Sequence, residues 1–73
     1  MINIEFTNDT IILDSIKYQL ESMIGHDDSI VNLHLVNDVY DTYYTIVANN
    51  VTINGVLQTS ADMIFETLSN GQS

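Results

Sequence analysis

The chain has 73 residues, of which ten are acidic and one is basic, and its formal net charge is −9 at neutral pH. A chain this short buries only about 60% of the surface that its unfolded form exposes, so we expect a single domain over residues 1–73. Without cysteine it has no disulfide framework or thiolate metal cluster, and with Lys17 as its one basic residue it cannot neutralise the phosphates of nucleic acid or anionic lipid.

The apolar content nevertheless indicates a folded core, because 45% of the residues are hydrophobic. Met1 is followed by Ile-Asn-Ile-Glu, without the basic segment of a signal peptide, and the apolar stretches are short. We therefore expect no signal peptide and no membrane span, and we predict a cytoplasmic protein.

The first third of the chain predicts a strand and then a helix. Ile2, Ile4 and Phe6 alternate with polar residues, as in a half-buried strand. Residues 10–13 fit either the start of the helix or the return strand of a hairpin, and residues 15–24 are helical in both interpretations. The helical stripe, which Gly25 can end, consists of Ile12, Leu13, Ile16, Leu20, Met23 and Ile24.

The middle of the chain predicts a meander of strands. Apolar and polar residues alternate over residues 31–35, and the run from 40 to 48 is rich in Tyr, Thr, Ile and Val, so these two segments should pair antiparallel. Residues 51–53 predict another strand, and Asn54-Gly55 is a strong signal for a two-residue hairpin turn.

The last segment predicts a second helix. Thr59 and Asp62 resemble a capping box, Asn70-Gly71 can end the helix, and Ala61, Ile64, Phe65 and Leu68 form one apolar face. The sequence thus predicts an α+β fold, a small two-layer domain with an antiparallel sheet of three to five strands and two helices.

Catalytic chemistry finds little support in the sequence. The two histidines, His26 and His34, have no nucleophile on a glycine-rich turn beside them. The acids near His26 and the pair Asp38 and Asp41 match neither an EF-hand nor a zinc site. We therefore predict no enzymatic activity, no metal and no other cofactor.

The acids themselves are the unusual feature, because one lysine cannot neutralise ten carboxylates. Asp62 and Glu66 lie one turn apart on the second helix, and the predicted first helix separates Asp14 from Glu21 by about 10 Å. An array of fixed carboxylates approximates the charge of a DNA duplex, which carries one negative charge per about 1.7 Å. The predicted partner-binding residues are Asp14, Glu21, Asp27, Asp28, Asp38, Asp41, Asp62 and Glu66.

In size, acidity and predicted fold, the whole chain resembles the small DNA-mimic proteins that bacteriophages make against host DNA-binding proteins, including inhibitors of the nucleoid-associated protein HU. The resemblance implies a protein of the host cytoplasm that occupies the basic DNA-binding surface of its target and displaces DNA. It implies no individual site residue, because no motif carries it.

A second interpretation is also compatible with the residues. The chain could be an interaction or assembly module, for instance a small homodimeric subunit that binds through a sheet edge or a tyrosine face. Its acidity would then serve solubility.

Overall fold

A computed structural model describes residues 1–70, without the side chains of residues 25 and 26. The predicted α+β architecture with two helices is wrong, because these residues form one seven-stranded sheet and a single short helix. The elements are β1 (Ile2–Thr7), β2 (Thr10–Leu13), β3 (Ile16–His26), β4 (Ile30–Val36), β5 (Asp41–Val47), β6 (Val51–Ile53), β7 (Val56–Leu57) and α1 (Ala61–Asn70).

The sheet has the strand order β5-β4-β3-β2-β1-β6-β7. Strands β1 to β5 form an antiparallel meander, in which β4 and β5 pair as predicted. Strand β6 does not continue this meander, contrary to the prediction. It returns to the start of the chain and pairs in parallel with β1, where Ile2 lies opposite Val51 and Ile4 opposite Ile53.

The hairpin turn between β2 and β3 is the first reason why the predicted first helix is wrong. Asp14 and Ser15 have φ angles of 51° and 66°, as the centre of a type I′ turn requires. Leu13 and Ile16 pair across this turn. These two residues lie three apart in sequence and on the same face of the sheet, so they imitate one step of a helical stripe.

Irregular pairing between β3 and β4 is the second reason why the predicted first helix is wrong. Leu20 lies opposite Leu35, but the register then shifts, so that Met23 lies opposite Leu33. A β-bulge of this kind changes the phase of the alternation, and two inward-facing residues become three apart instead of two. Of the two interpretations of residues 10–13, the return strand of a hairpin is confirmed, whereas residues 15–24 are not helical.

The hydrophobic core lies between the inner face of the sheet and α1, which buries Ala61, Ile64 and Leu68 as predicted. The helix begins after Ser60, whose hydroxyl oxygen accepts a hydrogen bond from the Met63 N–H at 3.1 Å. Ser60 is therefore the N-cap instead of the predicted Thr59. The predicted stop at Asn70-Gly71 falls partly outside the described residues. Within residues 1–70, no helix is long and apolar enough to cross a membrane.

The predicted Asn54-Gly55 turn is confirmed, and its asparagine also joins the hairpin to β1. Asn54 and Gly55 have φ angles of 52° and 84°. The Asn54 side chain accepts a hydrogen bond from the Phe6 N–H and donates one to the Phe6 carbonyl, both at 2.8 Å. The side chain thereby satisfies both backbone groups of Phe6 near the end of β1.

We predict that Asn54→Ala lowers the free energy of unfolding by about 3 kcal/mol, because it removes two hydrogen bonds and disfavours the left-handed backbone. Asn54→Gly keeps the backbone free and should cost about 2 kcal/mol. Asn49→Ala is the control for backbone strain alone and should cost about 1 kcal/mol, since Asn49 has a φ of 68° and its side chain makes no hydrogen bond within residues 1–70. Urea unfolding checks all three, and equal losses for Asn54→Ala and Asn49→Ala would exclude a role for the side-chain bonds.

Candidate functional site: an acidic end of the sheet

All ten carboxylates of the chain are exposed to solvent. This placement follows from the composition, because burying an ionised carboxylate without a cation costs several kcal/mol. The eight predicted residues and the two remaining acids, Glu5 and Asp9, therefore all lie at the surface.

Three of the predicted residues lie at the same end of the sheet, and we call Asp14, Asp38 and Asp41 the acidic end. Asp14 belongs to the β2–β3 turn, and the other two belong to the β4–β5 turn and the first position of β5. The Asn37 side-chain amide joins the β4–β5 turn to the start of β3, since it donates a hydrogen bond to the Lys17 carbonyl at 2.9 Å. The hairpin connections thus bring together acids that are 27 residues apart in sequence, from position 14 to position 41.

The β4–β5 turn is held in one conformation by the same asparagine. The side-chain oxygen of Asn37 accepts hydrogen bonds from the Val39 N–H at 2.9 Å and from the Tyr40 N–H at 2.7 Å. The turn presents Val39 and Tyr40 to solvent with 78% and 49% of their surfaces exposed. The Tyr40 ring lies 6.4 Å from the Tyr18 ring, at a tilt of 47°. Two exposed apolar side chains therefore lie among the carboxylates of the acidic end.

The single lysine lies beside this end. An open groove of about 820 Å³ is lined by Lys17 and Tyr18 from β3 and by Asn37, Asp38 and Val39 from the β4–β5 turn. Lys17 therefore reduces the negative charge on one side of the acidic end, and the carboxylates farthest from it contribute most to the local field.

Asp41 also contacts a histidine on the outer face of the sheet, which is the face opposite α1. The His34 Nε2 lies 2.6 Å from the Asp41 Oδ1, and the His34 ring stacks on Tyr43 with centroids 4.8 Å apart and an interplanar angle of 24°. Ser22 is the cross-strand neighbour of His34, so a serine, a histidine and an aspartate occupy adjacent strands. Within residues 1–70, the Ser22 hydroxyl makes no hydrogen bond to the imidazole, so these three side chains do not form the linked relay that activates a serine.

The structure does not bring the other five predicted residues to the acidic end. Asp14 and Glu21 are not on a helix as predicted; Asp14 lies in the β2–β3 turn, and Glu21 lies five residues beyond Ile16 in β3, about 17 Å along the strand from that turn. Asp27 has a structural role, because its carboxylate accepts hydrogen bonds from the Ser29 and Ile30 N–H groups, both at 2.9 Å. Asp28 follows it in the β3–β4 turn. Asp62 and Glu66 are confirmed as exposed residues of α1.

Two features of the surface, one at the acidic end and one away from it, do not follow from the sequence patterns. Val39 is the most exposed large apolar side chain of the β4–β5 turn, and no periodicity or motif in the sequence marks it. Asp9 was omitted, although its carbonyl accepts a hydrogen bond from the Leu20 N–H at 2.6 Å and this places it beside Glu21. The position of Asp9 beside Glu21 depends on the pairing of β2 with β3, and the sequence pattern of residues 15–24 instead predicts a helix.

The fold and this site define a small, mostly β, strongly acidic protein with an acid-rimmed apolar turn. No protein-family model, curated protein or solved structure matches the chain. Within the described part of the chain, no group of three or more His, Asp or Glu side chains could hold a metal ion. The functional assignment therefore depends on charge, exposure and geometry.

We predict that self-repulsion lowers the stability of this protein at low ionic strength. The double variant Asp28→Asn/Glu66→Gln removes two exposed charges distant in sequence from Lys17 and should raise the free energy of unfolding by roughly 1 kcal/mol in low salt, with a smaller gain in 0.5 M NaCl, where the charges are screened. Lys17→Gln is the control of opposite sign and should destabilise. Urea unfolding at the two salt concentrations measures the effect, and a gain that is unchanged by salt would contradict the electrostatic explanation.

Proposed function

We propose that this protein binds the basic surface of a DNA-binding protein in place of DNA, that it acts in the cytoplasm, and that it is not an enzyme. The observation that supports this function best is the exposure of all ten carboxylates in a chain with one lysine, together with the grouping of three of them around an exposed apolar turn. The likeness to phage inhibitors of HU, in size and acidity, points to the same class of partner.

The charge gives speed and selectivity to such an encounter. A body of net charge −9 attracts cationic surfaces over a Debye length, which is about 8 Å at physiological salt, and repels nucleic acid and other acidic proteins. Neighbouring strands lie about 4.8 Å apart, so the turns of adjacent hairpins at one end of the sheet lie about 10 Å apart, a spacing that long Lys and Arg side chains in a phosphate-binding groove can reach.

The exposed turn adds a contribution that is not electrostatic. Tyr is enriched among the residues that dominate binding energy at protein interfaces, and Val39 and Tyr40 are presented on a turn that is already held by hydrogen bonds. A partner that covers the turn gains apolar contact at little cost in conformational entropy, because the turn is ordered beforehand.

HU is the probe for this proposal. Titration of HU with the protein, in the presence of a labelled DNA duplex, should displace the DNA, and the affinity for HU should weaken roughly tenfold or more between low and moderate salt, because the binding is mainly between opposite charges. An affinity for HU that does not change with salt, or a complex that leaves DNA bound, would contradict the proposed function for this partner.

A pair of variants with equal net charge tests the site separately. Asp14→Asn/Asp38→Asn/Asp41→Asn removes the acidic end and should weaken binding by roughly threefold to a hundredfold, since each exposed ion pair contributes about 0.2–1 kcal/mol and three are lost. The matched variant removes three carboxylates elsewhere, by Asp27→Asn/Asp28→Asn/Glu66→Gln. If both variants weaken binding equally, net charge alone governs the interaction and the assignment to the acidic end is wrong.

A further inference from the structure

The charges are distributed unevenly along the chain. Residues 42–61 contain no acidic or basic residue, although the molecule carries a net charge of −9. This uncharged segment covers most of β5 and all of β6 and β7, and β5 and β7 are the two outer strands of the sheet. Both edges of the sheet are therefore the least charged parts of a strongly acidic protein.

The two edges differ in how well they are protected. Natural sheets protect their edges with lysine, proline, bulges or very short strands, because an exposed edge can pair with another chain. Strand β7 has only two residues. Strand β5 has seven, its register with β4 is continuous from Asp41 to Val47, and the chain contains no proline. Only β5 is thus a long and regular edge.

The hydrogen bonds of the β4–β5 hairpin show which backbone groups are available. The Asn37 N–H donates to the Tyr40 carbonyl at 2.9 Å, and the Ala48 N–H donates to the Ser29 carbonyl at 2.7 Å. Hydrogen-bonded pairs alternate in an antiparallel ladder, so residues 42, 44 and 46 point their backbone groups toward β4. The backbone groups of residues 41, 43, 45 and 47 point away from the sheet.

We propose that β5 pairs antiparallel with β5 of a second copy of this chain, around a two-fold axis at Tyr44. In this register Tyr43 lies opposite Thr45 of the second copy and Asp41 lies opposite its Val47, so all seven residues of the strand are paired. The pattern is self-complementary because the available backbone groups, at positions 41, 43, 45 and 47, are symmetric about position 44.

The side chains of β5 are compatible with this pairing. Tyr43 is 67% exposed and Val47 is 40% exposed on the outer face, and in this register each would be the diagonal neighbour of the other across the new ladder, within reach of an aromatic side chain. Tyr44 is half-buried against the core and would meet its own copy at the axis. The two Asp41 side chains would lie at opposite ends of the paired strands, about 20 Å apart, which exceeds two Debye lengths at physiological salt.

A second copy fits this edge better than a charged partner. A basic peptide would find no carboxylate along residues 42–47, whereas two acidic protomers can approach one another here without placing acids face to face. The salt dependence therefore has a definite sign: screening the remaining repulsion should strengthen the dimer, whereas salt weakens binding to a basic partner. Failure of one proposal is thus distinguishable from failure of the other.

Sedimentation equilibrium of the intact chain, from about 1 to 300 μM and in low and moderate salt, tests the dimer. We expect a monomer–dimer equilibrium that shifts toward the dimer as salt rises. Thr45→Lys should weaken association at least tenfold, because it places two like charges near the axis. Thr7→Lys makes the same charge change on β1 and should not weaken association, since it only lowers the net repulsion between the protomers. Thr45→Val removes the Thr45–Asn32 hydrogen bond while keeping the edge and should leave association unchanged.

Amide hydrogen exchange of the wild-type protein gives an independent result that needs no variant. The amides of residues 43, 45 and 47 should be protected at high protein concentration and exchange freely at low concentration, whereas those of 42, 44 and 46 should be protected at both. A monomer at all concentrations and salts, a dimer that Thr45→Lys does not weaken, or odd-numbered amides that exchange freely in a dimer would each overturn the proposal.

Discussion

The constraint on which this structure depends is that ten carboxylates must remain in water with almost no cation to pair with them. The fold meets it by placing every acid at an exposed position, mostly in hairpin turns and on the solvent side of α1. The apolar residues of the alternating strands are then free to form the core. The turns and α1 therefore carry most of the negative charge, whereas the outer strands of the sheet carry almost none.

The hairpin turns explain part of this acidity without reference to a partner. The chain has only three glycines, and Asn8, Asp14, Ser15, Asn49 and Asn54 all adopt positive φ angles. Asn and Asp tolerate this conformation better than other residues with side chains. Asparagine would serve as well in the turn that holds Asp14, and without charge repulsion, so the presence of aspartate there agrees with a use for the charge.

How much of the fold the sequence predicts depends on how regular each segment is. Strands β1, β4 and β5, the Asn54-Gly55 turn and α1 follow unbroken periodicities and are predicted at nearly their observed positions. The long strand β3 is missed because a two-residue turn before it and a bulge within it each place apolar residues of one face of the sheet three apart in sequence. The parallel pairing of β6 with β1 joins segments about 50 residues apart, and no local pattern records it.

The same reasons limit prediction of the site. Exposure of the acids could be predicted from composition alone, since a chain with one lysine cannot compensate ten buried carboxylates. Their grouping could not, because Asp14, Asp38 and Asp41 lie at the same end of the sheet only when the segment that precedes Lys17 is a hairpin. The predicted helix placed Asp14 about 10 Å from Glu21, whereas the sheet places it at the same end as the β4–β5 turn.

The central claim is that a cationic protein recognises the acidic end and its exposed turn. Backbone amide shifts of the isotope-labelled protein, recorded by NMR during titration with unlabelled HU at low salt, test it most directly. The account predicts that the largest changes cluster at residues 14–17 and 37–41 and disappear at high salt. Changes centred on residues 42–57, or an even distribution over all ten acids, would contradict it.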